Sequence, residues 1–358
     1  MSEIYEKVIG QDRAVAQLEK SVAQPVHAYL FLGPRGSGKH YASLAFAAQL
    51  LCKEGGCGNC DICVRVLASV HPDVVVVERV GAAISVEQAR EIVRVAMRSP
   101  LESDRQIIVL TDFHFVEEAA PALLKTIEEP PAGTIFLIHA EYIPAALSTI
   151  ASRCLRIDFS PVSEKLIASR LAENGVEIER ANEIAQLSVG SFRRAELLAH
   201  DPQALSRLRF WQSVPQQFDG TGAKLVDLTN QALATLDQAA AAIEATQEEE
   251  RQEFAERMKQ QGGSAGERKE FEARQKRELR RQKTDELRNG LLTIGYAYRN
   301  IAVETGNANA LSAAEAVVSA EKRLLRNPNE SLLLDALFAQ LDTLFAQSDK
   351  MVAIATNS

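Results

Sequence analysis

The segment "CKEGGCGNCDIC" sets Cys52, Cys57, Cys60 and Cys63 at the spacing C-x4-C-x2-C-x2-C. Four thiolates in one short loop suit tetrahedral zinc, whose structural sites are commonly closed by cysteine alone. An iron–sulfur cluster is the rival, because C-x2-C-x2-C also opens a ferredoxin-type run. That run continues to a further cysteine followed by proline, which this sequence lacks. Zinc is the favoured ion. With all four ligands supplied by protein it has no open coordination position, so its role is structural. Cys154, the fifth cysteine, reads as a small buried residue.

A second constellation is "GPRGSGKHYAS", residues 33 to 43. Gly33, Gly36, Ser37, Gly38 and Lys39 have the pattern of a loop whose backbone N–H groups surround a polyphosphate while the lysine reaches its terminal oxygens. The next position calls for Ser or Thr, whose hydroxyl holds magnesium. It is His40. A nucleotide hydrolase also needs an acidic residue at the end of a buried strand to hold magnesium, with an acid beside it to orient water. In "RQIIVLTDFHFV" these positions are Thr111 and Asp112. Two separate motifs have each lost a magnesium-related group, so the expectation is a degenerate nucleotide site that does not transfer phosphoryl groups efficiently.

Two arginines complete the set. In "TIASRC", Arg153 reads either as a surface arginine paired with a nearby carboxylate or as a finger that stabilises charge on a phosphate held by another subunit. In "GSFRRA", Arg193 is either solvated or aimed at a phosphate.

The elements that must position these groups follow from periodicity. Apolar or β-branched runs at Ala28–Leu32, Val74–Glu78, Gln106–Leu110, Thr134–His139 and Leu155–Phe159 alternate with helical patterns at Ala42–Leu51, Val86–Met97 and Ala119–Glu128. This alternation predicts an α/β domain with a five-stranded parallel sheet over residues 1–160, carrying the cysteine module at 52–63. The glycine loop follows the first strand and opens a helix, the context its chemistry requires. From Pro161 the strand signal stops, and three short amphipathic helices predict a helical lid over 161–201. The stretch 202–358 reads as almost entirely helical. Within it, 238–288 is rich in Ala, Glu, Gln, Lys and Arg and is interrupted at Gly262–Gly263–Ser264, which predicts two solvated antiparallel helices. Its stretch "RKEFEARQKRELRRQKTDELR" holds nine basic and five acidic residues, which reads either as i,i+4 ion pairs or as a nucleic-acid patch.

Bulk composition narrows the classes. The 358 residues are 46% hydrophobic and 25% charged, with a formal net charge of −8, which gives no global attraction to nucleic acid or anionic membrane. The acidic start "MSEIYEKVIGQDRAV" is not a signal peptide, and no window has the length and apolarity of a membrane span. The expected location is the cytoplasm, where thiols stay reduced and clustered cysteines point to metal.

Taken in order, "HAYLFLGPRGSGK", the cysteine cluster, "HPDVVVVE", "LLKTIEEPPAGTIFLI" and "IASRC" resemble the bacterial clamp-loader ATPase-fold subunits of the AAA+ superfamily. The resemblance runs from about Ile9 to His200. Gly38–Lys39–His40 and Thr111–Asp112 depart from the gamma/tau motor type and look like the delta-prime type; the charged stretch 238–288 looks like that of actinobacterial forms. The resemblance implies that Ser152–Arg153–Cys154 delivers a finger to a neighbouring gamma/tau ATP site. It also implies that 202–358 is a helical collar that joins a ring with gamma/tau and delta, loading a sliding clamp onto primed DNA within the DNA polymerase holoenzyme. ATPase activity of the chain itself is expected to be absent or weak. Two features depart from the family pattern: a shortened gap between Cys52 and Cys57, and His139–Ala140–Glu141 where Thr or Asn is usual. The competing readings are an active gamma/tau-like motor and a zinc-dependent DNA-binding module.

Overall fold

The computed structural model describes residues 2–79, 83–116, 119–261, 265–324 and 329–355. The chain divides into two compact units, 1–201 and 202–358.

The first unit is built on five parallel strands: β1 (Ala28–Leu32), β2 (Val74–Val77), β3 (Gln106–Leu110), β4 (Thr134–Ala140) and β5 (Leu155–Asp158), in the order β2-β3-β4-β1-β5. Side chains alternate across each strand and so feed two cores. Tyr29, Phe31, Ile107, Val109, Ile135 and Leu137 face one side, where they pack with α1 (Asp12–Ser21), α2 (Lys39–Leu51) and α3 (Asp61–Leu67). Ala28, Leu30, Ile108, Leu110, Phe136 and Ile138 face the other, against α4 (Val86–Ala96), α5 (Ala120–Glu128) and α6 (Ala145–Ala151). Burial on both faces explains why the strands are nearly continuous apolar runs. The loop after β1 and the ends of β3 and β4 lie together at the carboxyl edge, where a parallel sheet places its ligand crevice.

Three helices follow the sheet: α7 (Glu164–Glu173), α8 (Ile178–Leu187) and α9 (Phe192–His200). Ser163 and Ser191 cap α7 and α9, accepting hydrogen bonds from the N–H groups of Leu166 and Arg194. Gln11 ties the start of the chain to the strand exit, donating to the Ser160 carbonyl at 2.7 Å and accepting from the Ser160 N–H at 3.0 Å.

The second unit is helical: α10 (Pro202–Ser213), α11 (Leu225–Gln261), α12 (Ala265–Thr305), α13 (Ala308–Leu324) and α14 (Glu330–Ala355). Its core gathers Trp211, Leu228, Leu236, Leu291, Ile294 and Phe338. Helices α11 and α12 pair antiparallel. Gln247 and Gln275 exchange hydrogen bonds with each other's backbone carbonyls at 2.9 and 3.0 Å, and the Phe254 and Phe271 rings stack at 4.2 Å. The charged stretch 238–288 is only the outer part of this pair, because the inner ends of both helices continue into the apolar core. Composition changes where the helices leave the core, not where they begin. The expected break at Gly262–Gly263–Ser264 lies outside the described residues. Several of the basic residues form ion pairs, Arg268 with Glu272, Lys283 with Asp237 and Arg288 with Asp285. Among the described residues no helix is long and apolar enough to cross a membrane.

Candidate functional site

The cysteine module follows directly from α2. Cys52 ends that helix, and Cys60 caps α3, its sulfur accepting from the Cys63 N–H at 3.5 Å. Cys57 Sγ likewise accepts from the Cys60 N–H at 3.4 Å. The four sulfurs lie within 4.8 Å of one another, with Cys52 Sγ 3.9 Å from Cys57 Sγ and 3.7 Å from Cys60 Sγ. A tetrahedron with zinc–sulfur bonds of about 2.3 Å has sulfur–sulfur edges of about 3.8 Å. These separations are far beyond a disulfide bond, and they leave room for a single ion rather than a cluster with its own sulfides. Despite the short gap to Cys57, Cys52 sits with the other three. Burial acts to raise its thiol pKa, but N–H groups of Cys57, Gly56 and Glu54 outweigh that and bring it down to about 6. Burial pushes the Cys63 thiol up. The residues fit a structural zinc, which would cross-link the end of α2 to the start of α3.

This module is anchored to the sheet by a charged network. Arg65 on α3 forks onto Glu102 at 2.7 and 3.2 Å. The Asp73 carboxylate holds the same loop, accepting from the N–H groups of Leu101, Glu102 and Ser103 at 2.6 to 2.9 Å.

The phosphate-type loop has the expected backbone. Gly36 and Gly38 adopt φ of +76° and +91°, and Gly38 leads directly into α2. The lysine does not extend from it. Lys39 is buried, and its Nζ donates to the carbonyls of Gly33 and Pro34, the latter at 2.7 Å. Burial pushes its pKa down to about 8, partly countered by the charges of Glu141 and Asp112. Ser37 is buried beneath the loop. The residue that caps α9 lies directly against the loop, because a Cβ at Gly36 would meet Ser191 Oγ at 1.8 Å. The role of Ser191 carried no signal in the sequence beyond its capping chemistry.

His40 keeps an exposed edge, while the protein packed round its ring and the Arg193 charge depress its pKa. Arg193 is itself exposed at the start of α9. The His40 ring stands perpendicular to that of His139 at 6.2 Å, and His139 packs on Phe31 at 5.4 Å. Burial, then the His40 and Lys39 charges, push the His139 pKa down to about 3, so this imidazole is neutral at ordinary pH.

At the end of β3, the Thr111 hydroxyl donates to the Val77 carbonyl at 3.2 Å. Asp112 adopts a left-handed backbone with φ of +51° and pairs with Arg79 at 3.6 Å. Arg79 also lies over the Phe115 ring, 4.5 Å from its centre. The structure therefore brings Lys39, His40, His139, Asp112 and Arg193 to one edge of the sheet. The carboxylate beside Thr111 is engaged by an arginine that sequence reasoning did not identify.

Arg153 follows α6, away from the cysteine module. Its Nε pairs with Glu128, and Nη1 donates to the Thr149 carbonyl at 2.8 Å and to Ser152 Oγ at 3.1 Å. The nearby carboxylate of the plainer reading is thus Glu128.

Known proteins resemble this chain over its N-terminal part. Residues 10–163 match the family model described as DNA polymerase III, delta subunit. The DNA polymerase III subunit delta' of Bacillus subtilis is 33% identical over 187 residues, 51% of this chain and 57% of that protein. Its Pseudomonas aeruginosa counterpart is 38% identical over 141 residues, 37% of this chain and 43% of that protein. The gamma/tau subunit of Mycobacterium tuberculosis is 32% identical over 189 residues, 49% of this chain and 33% of that protein. The chain thus spans little more than half the length of the first of these relatives and less of the others. A crystal structure of a DNA polymerase III gamma subunit-related protein from Thermotoga maritima aligns over 92% of this chain and 98% of its own, at 17% identity and a TM-score of 0.43. The N-terminal part of this chain is thus similar to DNA polymerase III delta' subunits and, at comparable identity, to gamma/tau subunits.

Proposed function

We propose that the chain serves as a delta-prime-type stator in a clamp loader, supporting ATP-dependent loading of a sliding clamp onto primed DNA while hydrolysing little or no ATP itself. The observation that carries this reading is the state of the phosphate-type loop. Lys39 donates to the loop's own carbonyls, and His40 and Thr111 stand where two groups would hold magnesium. Without a well-placed metal, charge developing on a transferred phosphoryl group is not neutralised. In this reading the loop is architecture: it fixes β1, α2 and the lid at the angles an intersubunit contact needs.

Arg153 is the catalytic contribution. It stands exposed after α6, and its guanidinium stabilises charge on ATP bound by a neighbouring gamma/tau subunit. The helical second unit joins a collar with gamma/tau and delta. A zinc ion held by Cys52, Cys57, Cys60 and Cys63 supplies a cross-link and no chemistry. Reconstitution with gamma/tau and delta tests the proposal. Arg153→Ala is expected to leave assembly intact and to lower DNA-stimulated ATP turnover. Fingers elsewhere contribute about 10³-fold or more, and a ring with several sites shows a smaller net loss. Failure to co-purify, or full turnover with Arg153→Ala, overturns it.

A further inference from the structure

The pairing of Arg153 has a geometry that the finger role alone does not require. Glu128 is the last residue of α5, and α5 packs on α6. A carboxylate at a helix C-terminus faces the unpaired carbonyls at the negative end of the macrodipole, so its place is unfavourable for the helix itself. Arg153, which comes just after α6, compensates by setting a positive charge between the C-terminal ends of both helices. Of the guanidinium's nitrogens, Nε lies in ion-pair contact with Glu128, and Nη1 donates to Thr149 and Ser152. No hydrogen bond among the described residues uses Nη2. The Arg153 side chain stays 41% exposed, so its outer edge is accessible to another subunit.

We infer that Glu128 is the positioning residue for Arg153, holding Nε while the Thr149 carbonyl holds Nη1, so that the guanidinium plane is fixed and its Nη2 edge is presented to the phosphate oxygens of a nucleotide on a neighbouring subunit. This rests on the finger reading above. Five donors in a rigid plane lose little freedom once two directions are fixed, so the entropy of ordering a long side chain is removed before the neighbour arrives. A free arginine at this place would sample many rotamers. The requirement is on reach rather than on charge. Glutamate spans the gap from the end of α5, aspartate shortens that reach by one methylene, and glutamine keeps an acceptor oxygen on a side chain of the same length.

The test is ATP turnover by the reconstituted complex of this chain with gamma/tau and delta subunits, with assembly checked by gel filtration. Glu128→Ala and Glu128→Asp are each expected to lower kcat about tenfold with KM for ATP changed less than about twofold, because misplacing a catalytic group by about 1 Å costs up to about 10²-fold. Glu128→Gln should retain most of the rate. Glu128→Ala combined with Arg153→Ala should be no slower than Arg153→Ala alone. The inference is overturned if Glu128→Asp keeps the full rate, if Glu128→Gln falls as far as Glu128→Ala, or if the double variant multiplies the two losses. An Arg153→Ala complex at full rate sinks the finger reading itself. A slow Arg153→Ala complex with an unaffected Glu128→Ala complex sinks only the positioning role. If Glu128→Ala fails to assemble, the Asp and Gln pair alone decides, since both keep a polar group at the end of α5.

Discussion

Ser191 occupies the space that a side chain on Gly36 would need: a Cβ at Gly36 would lie 1.8 Å from Ser191 Oγ and 2.6 Å from its Cβ. The same hydroxyl caps α9, accepting from the Arg194 N–H at 3.2 Å. The phosphate-type loop and the lid are therefore joined through one small residue on each side. Gly36→Ala adds a clash to the cost of a left-handed backbone, for a loss of about 2 kcal/mol or more. Gly175→Ala is the control, because Gly175 also has positive φ but nothing lies within 4 Å of its Cβ position. Urea denaturation of the two variants should show Gly36→Ala clearly less stable. Equal stabilities would mean that the lid does not rest on the loop.

The cysteine module is expected to bind one zinc per chain. Because the ion couples to local folding, Cys60→Ser should speed hydrogen exchange across residues 52–70 while leaving β1, β3 and β4 as protected as before. Elemental analysis showing iron with sulfide, or a parent protein that never retains metal, contradicts the assignment.

A pH dependence follows from His139. Its folded pKa is about 3 against an ordinary value of 6.5, so between these values the unfolded chain binds a proton that the folded chain does not. Stability contributed by the neutral imidazole is full above pH 6.5 and is lost as the pH falls toward 3. His40 shifts in the same direction. His139→Leu should therefore lose less stability than the parent when denaturation is measured at pH 7 and again at pH 5. A variant that loses as much as the parent removes His139 from the account of acid sensitivity.

The sheet was legible because both of its faces are buried, so each strand is an uninterrupted apolar run whose limits are visible without knowing its neighbours. The four cysteines were legible for a related reason: all of the ligands lie in one short loop, and spacing alone states the geometry. Contacts between distant segments were not. Nothing in the spacing links Gly36 to Ser191, Asp112 to Arg79 or Glu128 to Arg153, although all six residues lie in stretches that sequence reasoning covered or adjoined. The glycine loop and its lysine were legible from spacing, but not the contacts of the Lys39 ammonium with the carbonyls of Gly33 and Pro34. The charged stretch in the second unit marked the solvated portion of α11 and α12 and so concealed how far both helices run into the core.

Single-turnover ATP hydrolysis by the purified chain, with and without magnesium, bears most directly on the claim that its loop is architectural. The account predicts no turnover above the uncatalysed rate in either condition, with any nucleotide binding weak and nearly independent of magnesium. Steady magnesium-dependent hydrolysis that disappears with Lys39→Ala would contradict it and make this subunit a motor.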